Sequence, residues 1–205
     1  MNTDWRTLFQ QQGAIWIHDG TRSRPHAELT SGLHSDGFVN CTVMTQQAAL
    51  LQRIVSEGDG LGKLLPSKAD WVIGSAFGAI TFAYAVALKL GCRAGFTEKE
   101  GEGMKLSRFE VSPAQTVLVV EDTISTGGST LKTIEALKNA GISEKNILPS
   151  IVCLVNRSGS NALNGREIRA LLTLDIHTWQ PSECPLCKTG SAAVRPKTHW
   201  RELTA

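Results

Sequence analysis

The stretch "VLVVEDTISTGGST" (117–130) sets two adjacent carboxylates, Glu121 and Asp122, between four apolar residues and a run of Thr, Ser and Gly. The apolar run reads as a strand buried on both faces. Such a strand ends in two acids when something beyond its end binds them. The small residues that follow let the backbone approach a ligand closely, above all at Gly127 and Gly128. Their N–H groups, with the start of the next helix, form an anion site. A phosphate suits this cradle. A sugar with two free hydroxyls suits the paired carboxylates. The stretch therefore reads as a ribose-5-phosphate site. It lacks the Gly-Lys-Ser/Thr ending of a Walker A loop, and its acids precede its glycines, unlike a dinucleotide fingerprint. The plain alternative is a Gly-rich helix start beside two solvated acids. The fully apolar strand fused to those acids favours the ligand.

These residues need a scaffold that delivers them to one edge. Residues 116–122 read as a parallel-type strand, and "STLKTIEALKNAG" as an amphipathic helix closed by Gly141. "WVIGSAFGAI" (71–80) reads as strand, small-residue turn and helix start, the helix stopping at Gly91. "RAGFTEKEGEGMKLSRFEV" gives a strand, a charged Gly-bearing loop and a second strand. "NILPSIVCLVNR" is a buried strand with Cys153 as a small hydrophobe. "ALLTLDIHTW" is the last strand. Nearer the N-terminus, residues 3–12 read as a helix, 14–17 as a strand, "HAELTSGLHSDGFVN" as strands bent around turns, and 45 to about 58 as a helix. Alternating strands and helices mean βαβ units and an α/β fold with a mostly parallel sheet flanked by helices. Ligands then bind beyond the carboxyl ends of the strands.

The chain has 205 residues, 41% of them hydrophobic, enough for one α/β domain with its own core. The net charge of +2 gives no support to nucleic acid as a partner. No apolar run approaches the ~20 residues that span a bilayer, so no membrane is expected. The start, "MNTDWRTLFQQQG", lacks a secretory h-region, and the cytoplasm is the expected compartment. Five cysteines argue against a disulfide framework.

"VLVVEDTISTGGST" closely resembles the phosphoribosyl diphosphate (PRPP) signature of type I phosphoribosyltransferases. That resemblance implies a parallel sheet with a smaller hood. Here the hood is expected from about 1–44 and part of 156–180, the core from about 45–155, and an irregular Cys-bearing tail at 181–205. Glu121 and Asp122 would hold the ribose hydroxyls. Thr123 and Ser125, Thr126, Gly127, Gly128 and Ser129 would line the PRPP site, the last five around the 5-phosphate. "VIGSAFGAITFAYAVALKLG" resembles the pyrophosphate segment, with Ser75, Ala76, Phe77 and Gly78 offering backbone N–H groups and often a strained peptide in the turn.

Two further stretches resemble orotate phosphoribosyltransferases. "TSGLHSDGFVN" (30–40) matches their N-terminal block, with His34 at the basic position and Phe38 against the base. "CLVNRSGS" puts Arg157 just past a strand, where an Arg pairs with the orotate carboxylate. Its planar fork suits that role, and Ser125 would also face the base. The plain alternatives are a polar turn residue at His34 and an exposed loop Arg at 157. The charged loop "TEKEGEGMKL" (97–106) matches a mobile loop that closes over the site, often the partner subunit's. Lys99 matches its first lysine and, with Glu121 and Asp122, completes the expected catalytic set. The extra Lys and His of the long loop form are absent, and Gly78 stands where some members carry Lys. Shorter loops occur in a subgroup resembling the Thermus-type enzymes, so the departures read as a subgroup feature. The loop's plain alternative is a solvated hairpin tip.

The resemblance covers roughly residues 15 to 178. It implies transfer of ribose-5-phosphate from PRPP to orotate with release of pyrophosphate, Mg²⁺ bound mainly through PRPP, and a homodimer. A related enzyme acting on another base, and a PRPP-sensing regulator of the same fold, stay open. In the tail, Cys184-Pro-Leu-Cys187 is half a zinc site, with His177 and His199 as the nearby candidates to complete it. A reduced structural turn and a redox pair are the other readings.

Overall fold

The computed structural model describes residues 3–29, 31–56 and 58–204, and they fall into two compact units. One comprises the N-terminal residues through Trp5 together with Met44–Leu174, and the other Arg6–Val43 with Asp175–Ala205.

The larger unit is built on a seven-stranded sheet. Its order is Ala162–Leu163, Arg166–Thr173, Ile147–Asn156, Val117–Ile124, Trp71–Ser75, Arg93–Glu100 and Gly103–Lys105. The five central strands are parallel, and the two short edge strands run antiparallel. Helix Ile80–Leu90 crosses from Trp71–Ser75 to Arg93–Glu100, and helix Gly128–Asn139 from Val117–Ile124 to Ile147–Asn156. Parallel neighbours need such crossovers, because no tight turn brings a chain back in the same direction. Val117, Leu118, Val119, Val120 and the run Ile151–Val155 are all buried. Each such aliphatic side chain contributes about 1.5–3 kcal/mol relative to exposure. Gly91 caps its helix in the left-handed conformation at φ 66°, so the expected stop is the observed one.

Several local expectations change. The helix expected over 45–58 is two pieces, Thr42–Thr45 and Ala48–Ser56. Glu57, and Thr30 of the N-terminal block, lie outside the described residues. The charged stretch is a regular hairpin, with Glu98 opposite Lys105 and Lys99 opposite Met104. Lys105 pairs with Glu100 at 2.7 Å, and Glu98 with Arg108 at 2.8 Å. The last strand is not continuous either: Arg166–Thr173 belongs to the large sheet, and Thr178–Trp179 to the other unit.

The smaller unit holds a four-stranded sheet in the order Thr178–Trp179, His34–Ser35, His26–Glu28 and Ala193–Val194. A two-stranded sheet pairs Ile15–Ile17 with Gly37–Val39. The tail is not irregular. It forms helix Pro185–Lys188, strand Ala193–Val194 and helix Pro196–Thr204. Its strand adds in parallel to His26–Glu28, and Leu203 is buried in a cluster with Trp16 and Ala27. Among the described residues, no helix is long and apolar enough to cross a membrane.

Candidate active site

Strand order reverses between Trp71–Ser75 and Val117–Ile124. From the first the chain moves outward on one side, and from the second on the other. The crevice at the carboxyl ends of two such strands is where open α/β sheets bind ligands. The acids and both small-residue loops sit at that crevice.

Glu121 is buried at the end of its strand. Ser75 Oγ lies 2.9 and 2.8 Å from its two carboxyl oxygens, joining the two strands across the crevice. Asp122 donates its backbone N–H to Glu121 Oε1 at 3.2 Å, and its own Oδ1 accepts the Thr123 N–H at 2.8 Å. Burial, and then the neighbouring Asp122, push the Glu121 carboxyl up to about 8. Burial also raises Asp122. Two acids so placed favour a ligand that brings hydroxyl donors or positive charge.

The Ser75–Gly78 turn faces them. The Ala76–Phe77 peptide is cis, and Phe77 is 86% exposed. Gly78 runs so close that a Cβ there would meet Asp122 Oδ2 at 2.7 Å. Lysine at this position, as in some members of the family it resembles, would push into that carboxylate.

Beyond the acids, Gly127 takes the left-handed conformation (φ 77°) just before the first turn of helix Gly128–Asn139. A Cβ on Gly127 would meet Leu163 Cδ1 at 2.5 Å and push that side chain aside, and the left-handed backbone itself favours glycine there. The unpaired N–H groups of the helix start open onto a cleft of about 350 Å³. Thr126, Gly128, Ser129 and Lys132 line it from the helix start, and Lys99, Glu102 and Met104 from the charged hairpin. A helix N-terminus with two lysines beside it, against one acid, makes a site for a polyanion.

Arg157 stands at the same edge. Its N–H donates to the Ile124 carbonyl at 2.8 Å, which sets it beside Ser125. Buried Asn156 holds the turn that follows, donating to Ser160 O at 2.8 Å and accepting the Ser158 N–H at 3.0 Å. Of the expected residues, the larger unit thus brings together Ser75–Gly78, Lys99, Glu121–Ser129 and Arg157.

His34 and Phe38 belong to the smaller unit. Phe38 packs in its apolar cluster, 5.7 Å from the Trp200 ring. His34 is 9% exposed, and its Nδ1 lies 3.2 Å from Cys187 Sγ. Its ring is committed to a Cys/His cluster and not to a turn surface. The tail histidines expected to complete the Cys pair lie elsewhere: His177 pairs with Asp36 at 2.9 Å, and His199 contacts Thr198. In their place the structure brings His26 and His34 to the cysteines.

The Phosphoribosyl transferase domain family matches residues 48–164, more than half of the chain. This chain belongs to that family. Its matched span holds every element of the crevice just described. Among curated relatives of this phosphoribosyltransferase is the orotate phosphoribosyltransferase of Caldicellulosiruptor bescii. It is 39% identical over 172 residues, covering 83% of this chain and 87% of the relative. The orotate phosphoribosyltransferase of Thermus thermophilus is also 39% identical, over 86% of this chain and 94% of its own. In fold, the chain is similar to the crystal structure of orotate phosphoribosyltransferase from Aeropyrum pernix. That match has a TM-score of 0.60 and 24% identity, and covers 82% of this chain and 92% of that one. The type I phosphoribosyltransferase fold expected from the signature is the fold observed.

Two contributors escape a linear reading of this phosphoribosyltransferase. Ser75 was expected to act through its backbone, yet its side chain bridges to Glu121, 46 residues away. Lys132 was not singled out. Its spacing of four from Gly128 puts it over the first helical turn, which was the available signal.

Proposed function

We propose that this chain is an orotate phosphoribosyltransferase. It transfers the ribose-5-phosphate of PRPP to orotate, releasing pyrophosphate and giving orotidine 5'-monophosphate. The observation that carries the reading is the crevice, where strand Val117–Ile124 ends in a carboxyl pair tied to Ser75 and runs straight on to a helix N-terminus that suits a phosphate. Curated relatives named orotate phosphoribosyltransferase, at 36–39% identity over most of the chain, support the base.

In the reaction, the bond from ribose C1 to the diphosphate oxygen breaks and a C1–N bond to the orotate ring forms. Glu121 and Asp122 accept the ribose hydroxyls. The amides of Ser125–Ser129 hold the 5-phosphate, and those of Ser75–Gly78 the diphosphate. Lys99 and Lys132 steady the negative charge as it leaves. Arg157 engages the orotate carboxylate bidentately. These groups work by positioning and by fixed charge aimed where charge develops. The adjacent carboxyl oxygens at this edge fit Mg²⁺ held mainly through PRPP. When bound, Mg²⁺ neutralises the leaving diphosphate. A homodimer in the cytoplasm completes this reading. The Lys99 hairpin would then serve its own or the partner's crevice, and the mass of the purified chain in solution tests the dimer.

The test is loss of orotate absorbance with PRPP and Mg²⁺, with adenine, hypoxanthine and uracil in parallel. Turnover of orotate alone supports the assignment, and turnover of another base refutes it.

A further inference from the structure

His26, His34, Cys184 and Cys187 each offer one ligating atom, and those atoms all lie within 4.8 Å of one another. We propose that they form a tetrahedral Zn²⁺ site in the smaller unit.

The distances suit one ion at the centre. His26 Nε2 lies 3.0 Å from His34 Nδ1, 3.6 Å from Cys184 Sγ and 3.5 Å from Cys187 Sγ. His34 Nδ1 lies 3.2 Å from Cys187 Sγ. Ordinary Zn–S and Zn–N bonds at the tetrahedral angle put sulfur and nitrogen about 3.5 Å apart, and two nitrogens about 3.3 Å. Two thiolates with two imidazoles select zinc over the hard, oxygen-seeking cations.

The surroundings prepare His26 for this role. Its Nδ1 lies 2.9 Å from Ser191 Oγ, and that hydroxyl donates its only hydrogen to the Arg24 carbonyl at 2.6 Å. Ser191 therefore accepts, so His26 carries its proton on Nδ1. Nε2 is left with its lone pair aimed at the three other ligands. Such a partner behind a ligating histidine fixes the tautomer and the ring plane. His26 and Cys184 are fully buried, whereas Cys187 reaches solvent and gives the ion a way in. Without a cation, the 3.0 Å contact of the two imidazoles needs a proton on His34 Nδ1, and the two thiols make only weak sulfur contacts.

The ligands come from strands His26–Glu28 and His34–Ser35 and from the start of helix Pro185–Lys188. The ion would clamp the tail onto the N-terminal strands, with His34 and Cys187 153 residues apart in sequence. Its role is structural, since all four positions are filled by protein.

The experiment is metal analysis of the full chain purified without chelators, followed by cobalt(II) titration of metal-free chain. The expected results are one zinc per chain, and for cobalt a thiolate charge-transfer band with the visible bands of a tetrahedral site. Cys187→Ser and His26→Asn should lose both signals, and Cys92→Ser, in the larger unit, should keep them. Zinc should also raise the Tm of metal-free chain. A folded full chain that holds no zinc and gives no cobalt spectrum overturns the proposal, as does a Cys184–Cys187 disulfide in freshly purified protein. Neither result bears on orotate turnover, which is read separately.

Discussion

The sheet crevice and the Cys/His cluster gather polar groups in opposite ways. At the crevice, one serine hydroxyl serves Glu121, single backbone N–H groups serve Glu121 and Asp122, and burial drives both carboxyls toward protonation. Hard oxygens and backbone amides face a cleft there, which suits a ligand that arrives and leaves. In the smaller unit, soft sulfur and nitrogen atoms converge on one point with every direction filled. Open geometry facing a cleft marks a site that turns over, and closed geometry marks one that holds.

That contrast is broken most strongly at Lys99. Lys99→Ala should lower turnover by about 100-fold with an unchanged Tm, because a lost contact to developing charge costs that order of rate. A variant as active as the parent would remove Lys99 from the chemistry. Asp122→Asn should weaken PRPP binding by about 10- to 100-fold in calorimetry, the scale of a lost charged hydrogen bond. Unchanged affinity would detach the acids from the ribose. Gly127→Ala should cost about 1–3 kcal/mol in urea unfolding, through its left-handed backbone and the Leu163 contact. A neutral result would mean that the loop readjusts freely.

The smallest expected effect is on pH dependence. Glu121 holds its proton more tightly folded than unfolded, since its folded value is raised to about 8. The stability it contributes is fully present below the ordinary carboxylate range and is lost as pH rises through that value. The Tm of ligand-free chain should therefore fall between about pH 5 and about pH 9, and fall less in Glu121→Gln. Equal slopes in the two proteins would place the titrating group elsewhere.

The two regions also differ in how far the linear sequence exposes them. The crevice loop was legible because strand, acids, cradle and helix are contiguous over 117–139, and each obeys a local rule. The Ser75 bridge was not, because it depends on which strands become neighbours. The tail's elements are two to nine residues long, with no periodicity to read, and exist through partners near residue 26. The same distance in sequence hid the zinc ligands. His177 and His199 are near Cys184 along the chain, but strand pairing brings His26 and His34 to it in space. In the charged stretch the sequence reads as strand, loop and strand, and pairing of Glu98–Glu100 with Gly103–Lys105 shrinks the loop to a tight turn, because Lys, Glu and Gly suit a strand end and a solvated turn equally well.

The central claim is that the crevice transfers phosphoribosyl groups to orotate. Its most direct test follows orotate absorbance with purified chain, PRPP and Mg²⁺, against the same mixture lacking PRPP. PRPP-dependent loss of orotate with stoichiometric pyrophosphate is expected, sharply reduced in Lys99→Ala. PRPP binding with no turnover of orotate or of any other base would contradict it.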